Sequence, residues 1–189
     1  MAITNKKLKA VFFDIDGTLI NGQTQLFLAW RIFISGRLGL IKFFRIFYFF
    51  IKYKFGLVRD VKKVMEASYS LTKDLSVDDF SNLIRQCFEL DIKKRIFSEA
   101  INIINDLRMR GFRIILVSNT LQQIVDLLVA DLSLDGGIGT VILEKDGKLT
   151  GIIDRLMYGE NKPKFIKMLF NKDFDFSLSY AYTDHDSDI

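Results

Sequence analysis

Cysteine and histidine each occur once in the 189 residues, as Cys87 and His185. A single cysteine excludes an internal disulfide, which fits a reducing compartment. Cys87 is expected as a small buried hydrophobe on a helix, and His185 as a surface residue with no catalytic part. There is no zinc-finger or RNP pattern. Lysines and arginines are spread along the chain, so a net charge of +4 makes no case for a nucleic-acid partner. Internal repeats and low-complexity linkers are lacking too. Residues 1–9 are short and basic, but so few apolar residues follow before Asp14 that they read as a strand, not as the core of a signal peptide. A cytoplasmic location is the expectation. Neither composition nor spacing speaks to oligomeric state.

What is present is a hydrophobic fraction of 49%, ample for a core and far from the composition of a disordered chain. Ala10-Val11-Phe12-Phe13 reads as a buried strand of a parallel sheet and runs into Asp14-Ile15-Asp16-Gly17-Thr18-Leu19. Ligands of such sheets bind at the carboxyl ends of the strands. If the chain stays extended through Asp16, the carboxylates of Asp14 and Asp16 share one side, and Gly17 permits a sharp exit. Two carboxylates in one crevice suit a hard cation with oxygen ligands, or a division of labour between nucleophile and acid/base.

Helical patterns follow over residues 25–35, 38–55, 58–70, 77–89 and 98–110, with Ser76 or Asp78 as cap of the fourth. In the last, Ile101, Ile104, Leu107 and Met109 are expected inward, and Gly111 sits where a helix-ending glycine belongs. Residues 112–117 read as a second buried strand, with a helix over 121–132. Asp146-Gly147 between residues 139–144 and 148–153 marks a hairpin. A short helix over 163–170 carries Pro163 near its first turn, and residues 177–183 form a last strand. Strands separated by helices predict a doubly wound, mostly parallel, Rossmann-like α/β core from residues 1–20 and 96–189. Residues 21–95, without a credible strand, form a helical insertion.

The Asp-Ile-Asp-Gly-Thr string after a hydrophobic strand resembles the first motif of the haloacid dehalogenase-like (HAD) superfamily. The helical insertion is placed like the cap of its phosphoserine phosphatase-like subfamily IB. The resemblance implies an aspartyl nucleophile at Asp14 and a general acid/base at Asp16. It points to phosphoryl chemistry, because the dehalogenase branch lacks the second Asp. Ser118, in Ser118-Asn119-Thr120, matches the second motif and would hold the phosphoryl group together with Asn119. Thr120 is the better-placed cap for the helix that follows. Lys162 matches the third motif, with Lys164 a competing candidate two residues on. Asp184 and Asp188 match the fourth, Asp184 binding Mg²⁺ with Asp14 and Asp16, and Asp188 supporting the site. The implied activity is a Mg²⁺-dependent phosphatase acting on a small phosphate monoester through an aspartyl-phosphate. Chains of this family normally continue beyond the equivalent of Ile189 with a helix and more sheet. The alternative expectation is therefore a truncated core and a weakly active or inactive protein.

Residues 38–52 are unusually aromatic. They do not read as a transmembrane helix, because Lys42, Arg45 and Lys52 interrupt them at roughly 2.5–3.5 kcal/mol per charge at a helix centre. On a helix these cations fall near one stripe. Three readings stay open: plain cap structure, peripheral contact with a membrane surface, and contact with an anionic substrate.

Overall fold

The computed structural model describes residues 7–54 and 61–183. The chain divides into two compact units, one built from the segments up to Gly22, Arg95–Gly139 and from Met157 onward, the other from Gln23–Lys94 and Thr140–Leu156.

The first unit is organised by strand β1 (Ala10–Phe13), in which every residue is buried. β1 pairs in parallel with β2 (Arg113–Leu121) on one side and with β5 (Tyr180–Tyr182) on the other. β3 (Gly136–Lys145) lies beyond β2. Side-chain alternation along the strands supplies two cores. Ala10, Phe12, Ile115 and Val117 cluster with Ile138, Met157 and Phe174, covered by Phe165, Ile166 and Phe170 of helix α7 (Asn161–Phe170). The alternate residues Val11, Phe13, Ile114 and Leu116 are equally buried, and helices α5 (Ser98–Met109) and α6 (Gln122–Asp131) pack against β2. Helices on both faces make this the doubly wound, mostly parallel core that the sequence predicts. Each fully buried large side chain contributes roughly 1.5–3 kcal/mol.

Two local expectations hold in detail. Gly111 takes φ +78° after α5, where its N–H donates to the Arg108 carbonyl. Ser76 caps α4 (Val77–Cys87), its hydroxyl accepting from the Asp79 N–H at 3.1 Å. Others shift. Met109 is exposed, since the buried stripe of α5 is Ala100, Ile104 and Leu107. The last strand shortens to three residues because a 3₁₀ turn over Phe176–Leu178 precedes it. That turn is held by Asp175, whose carboxyl is kept below the usual range by hydrogen bonds from the Ser177 hydroxyl and N–H.

Close approach fixes one contact of this unit. A Cβ on Gly139 would lie 2.6 Å from the Thr120 carbonyl oxygen and 2.9 Å from the Gln122 Cα. Gly139→Ala is therefore expected to destabilise the protein by about 1–3 kcal/mol, because backbone must move to admit the methyl group. A urea-unfolding midpoint unchanged from the parent would show that the start of α6 yields freely.

In the second unit, α1 (Thr24–Ile34) packs on α2 (Leu40–Lys54) and α4, and α3 (Val61–Tyr69) comes between α2 and α4 in sequence. Cys87 is fully buried at the end of α4, as expected. After α4 the chain runs through a π-helical turn over Phe88–Ile92. The Arg31 guanidinium bonds to Asp91, and this hydrogen bond raises the arginine's pKa further above its ordinary value.

The hairpin is where domain assignment from sequence order differs from the structure. β3 and β4 (Lys148–Arg155) are antiparallel, and Asp146 and Gly147 both take positive φ in the turn between them. The segment 140–156 belongs with the helices and not with the core. Backbone bonds hold it there: Leu149 N–H donates to the Leu75 carbonyl, Asp74 N–H to that of Leu149, and Val77 N–H to that of Gly147. Gly151 passes so close to the end of α3 that a Cβ would lie 2.8 Å from the Ser70 Cα.

Candidate active site

The site starts at the carboxyl end of β1. Asp14 N–H donates to the Tyr182 carbonyl at 2.9 Å, so Asp14 is fixed between β1 and β5. The assigned strand stops at Phe13, and past Asp16 the chain folds back at once. The Ile15 carbonyl accepts from the N–H groups of Leu19 and Ile20, and Gly17 takes φ +83° while donating to the Ile20 carbonyl. Ile15, fully buried, anchors the turn and leaves the two carboxylates on either side of it. Both Asp14 and Asp16 are at least nine-tenths buried.

Lys162 reaches this strand end from the first turn of α7. Its Nζ donates to Asp14 Oδ1 at 3.1 Å, across 148 residues of sequence. The pair is buried on both sides, with Lys162 only 4% exposed. Lys164 is exposed, which decides between the two candidate lysines. Residues 162 and 164 are about 200° apart around a helix, so only one of them can face the sheet. A buried ammonium needs an acceptor, and Asp14 supplies it.

Ser118 and Thr120 are both fully buried inside β2, which extends to Leu121 and does not end at Val117. The Ser118 hydroxyl accepts from the Thr120 N–H at 3.3 Å. Thr120 does not cap α6; the residue at that helix's cap is Leu121, with no side-chain bond. The Thr120 hydroxyl donates instead to Asp16 Oδ2 at 3.3 Å. This contact was missed from the sequence, although period-two alternation places Thr120 on the same face of the strand as Ser118. Asn119 is half-buried between them. A cavity of about 250 Å³ opens beside Asp14 and Lys162, otherwise lined mainly by apolar groups such as Phe12, Ile166 and Tyr182.

Asp184 and Asp188, the expected fourth-motif carboxylates, and His185 lie outside the described residues. Among the described residues no three His, Cys, Asp or Glu side chains gather as a metal site. Among the described residues, the donors at this strand end, Asp14 and Asp16, are hard oxygens. That donor chemistry fits Mg²⁺ rather than zinc.

Such an arrangement holds one carboxylate against a fixed cation and gives a second one a hydroxyl partner. Nucleophilic attack and proton transfer can thus fall to different groups.

Residues 11–189 match the family model of haloacid dehalogenase-like hydrolases. The chain belongs to this family. A relative from Mycobacterium tuberculosis, named a probable phosphatase, is 25% identical over 183 residues, 95% of this chain and 64% of its own. The chain spans about two thirds of the length of the curated relatives it matches, at 66% and 64%. A protein of unknown function from Bordetella pertussis shares the fold with a TM-score of 0.82 at 18% identity, over 97% of this chain and 85% of that one. A substrate-bound phosphoserine phosphatase aligns with a TM-score of 0.71 at 22% identity, over 97% and 80%. At these identities the likeness is one of HAD fold.

Proposed function

We propose that this HAD-like protein is a Mg²⁺-dependent phosphatase that hydrolyses a small phosphate monoester through an aspartyl-phosphate. The observation that carries the reading is the buried Lys162 ammonium 3.1 Å from the Asp14 carboxylate at a strand end. A nucleophilic carboxylate must approach a phosphate that is itself negative. A fixed cation at that point offsets the repulsion and the charge on the transferring oxygens.

In this mechanism an Asp14 carboxylate oxygen attacks phosphorus in line with the ester oxygen. The new bond joins Asp14 to phosphorus, the phosphorus–ester bond breaks, and the carboxyl proton of Asp16 goes to the leaving oxygen. Water then attacks the aspartyl-phosphate. Asp16, now ionised, takes the water's proton, and inorganic phosphate leaves as the Asp14 carboxylate is restored. The Thr120 hydroxyl orients Asp16 for both transfers. Ser118 and Asn119 bind phosphoryl oxygens, and Lys162 holds the group against the nucleophile. Bound Mg²⁺, held by Asp14, Asp16 and Asp184 with support from Asp188, supplies positive charge that screens the two anions from each other.

The substrate is a small phosphorylated molecule. Phosphoserine is the first to test, since a solved structure of similar fold is that of a substrate-bound phosphoserine phosphatase. The reducing cytoplasm suits the enzyme, whose one cysteine is buried and outside any disulfide.

Phosphate release from p-nitrophenyl phosphate should require Mg²⁺, vanish in EDTA and return when Mg²⁺ is restored in excess. A panel of phosphate monoesters yielding no phosphate with Mg²⁺ present would overturn the proposal.

A further inference from the structure

Helix α2 turns an apolar face to solvent. Leu40, Ile41, Phe44, Phe47, Tyr48 and Ile51 are all exposed, Ile41 by 86% and Phe44 by 57%. At 100° per residue these six fall within about 120° of the helix circumference. The side adjoining this stripe does the packing: Phe43, half-buried, stacks on Phe33 of α1 at 4.6 Å. Trp30 of α1, half-exposed, lies 5.9 Å from Phe43 and extends the apolar surface. A continuous patch of this kind marks a contact surface.

Charge identifies the occupant. From Gly17 to Arg59 the chain contains no Asp or Glu at all. Two of the cations in this stretch are paired from α4 and the turn after it, Arg37 with Asp79 and Arg31 with Asp91. Arg45 and Lys52 lie along one border of the exposed stripe, resting on the rings of Phe49 and Tyr48. A second copy of this chain would bring like charges together along that border. An anionic bilayer offers the complement: a hydrocarbon boundary for the rings and headgroup phosphates for the cations.

We propose that this face of α1 and α2 docks on the surface of an anionic lipid bilayer. α2 lies in the plane of the interface, its aromatic stripe inserted roughly 5–10 Å and Arg45 and Lys52 at headgroup level. It is an in-plane anchor and not a span, since no helix among the described residues is long and apolar enough to cross a membrane. The docking is independent of the phosphatase chemistry.

The chain's only tryptophan, Trp30, sits in the proposed surface and reports on it directly. The full chain is mixed with vesicles of phosphatidylcholine, with and without phosphatidylglycerol, and assayed by sedimentation and Trp30 emission. Sedimentation with the anionic vesicles at low salt, a blue shift of emission, and weakening by salt are expected. Arg45→Gln and Lys52→Gln should each lower partitioning roughly fivefold. Phe44→Ser with Phe47→Ser should abolish the blue shift while circular dichroism is preserved. Absence of binding to anionic vesicles at low salt overturns the proposal. So does binding that leaves Trp30 emission unmoved, or a concentration-dependent dimer that Phe44→Ser with Phe47→Ser dissolves and vesicles do not compete with.

Discussion

Asp14→Asn is expected to leave a folded protein whose turnover falls by about 10⁴-fold or more. The substitution alters volume very little. Its amide oxygen can still accept from Lys162, as Asp14 Oδ1 does, and the backbone N–H bond to the Tyr182 carbonyl is untouched, although the buried ammonium loses its counter-charge at a cost of roughly 3–5 kcal/mol. What is lost is the negative oxygen that forms the bond to phosphorus. An amide cannot replace it, so no aspartyl-phosphate forms and only residual binding effects remain. Phosphate release gives kcat, and circular dichroism on the same sample shows that the fold persists. The intact mass after the assay guards against deamidation returning Asn to Asp. Turnover within tenfold of the parent, at the mutant mass, would refute Asp14 as nucleophile.

Lys162→Met should follow, with kcat lowered about 10²–10³-fold, the magnitude typical of removing a fixed charge-stabilising donor. Methionine fills much of the lysine stem's space but leaves no cation for the transferring phosphoryl group. KM should rise as well, because a ground-state phosphate also meets Lys162. The loss also breaks a buried ion pair, which costs roughly 3–5 kcal/mol when one partner is removed. Thermal melting of the same preparation separates an unfolded variant from an inactive one. Lys164→Met, at an exposed position on the same helix, should keep the parental rate within about twofold, as surface changes usually do. Equal losses in the two variants would sink the assignment of the cation to Lys162.

Both substitutions test contacts that differ in how far they could be read in advance. Asp14 was legible because everything needed lies within a few residues: an apolar strand, then an acid, then a glycine. The turn at Asp146-Gly147, the helix end at Gly111 and the Ser76 cap were legible for the same reason, since each is a backbone conformation that one or two residues specify.

Thr120 shows the limit. By position before a helix it reads as a cap. The structure spends that hydroxyl on Asp16, 104 residues away in sequence, because β2 carries on to Leu121 and sets Thr120 on the strand face it shares with Ser118. The hairpin makes the same point at larger scale. Its strands and turn are local, but its place beside the helices rests on backbone bonds to residues 74–77.

The sequence by itself determined the core class, the identity of the acid at the first strand end and the turns, because hydrophobic period, glycine and capping residues act over a few positions. Only the tertiary structure decided that Lys162 and not Lys164 meets Asp14, that Thr120 serves Asp16, and that residues 140–156 join the helices. Those outcomes depend on the rotational phase of a helix and the length of a strand, which packing fixes when segments far apart in the chain bury the same surface.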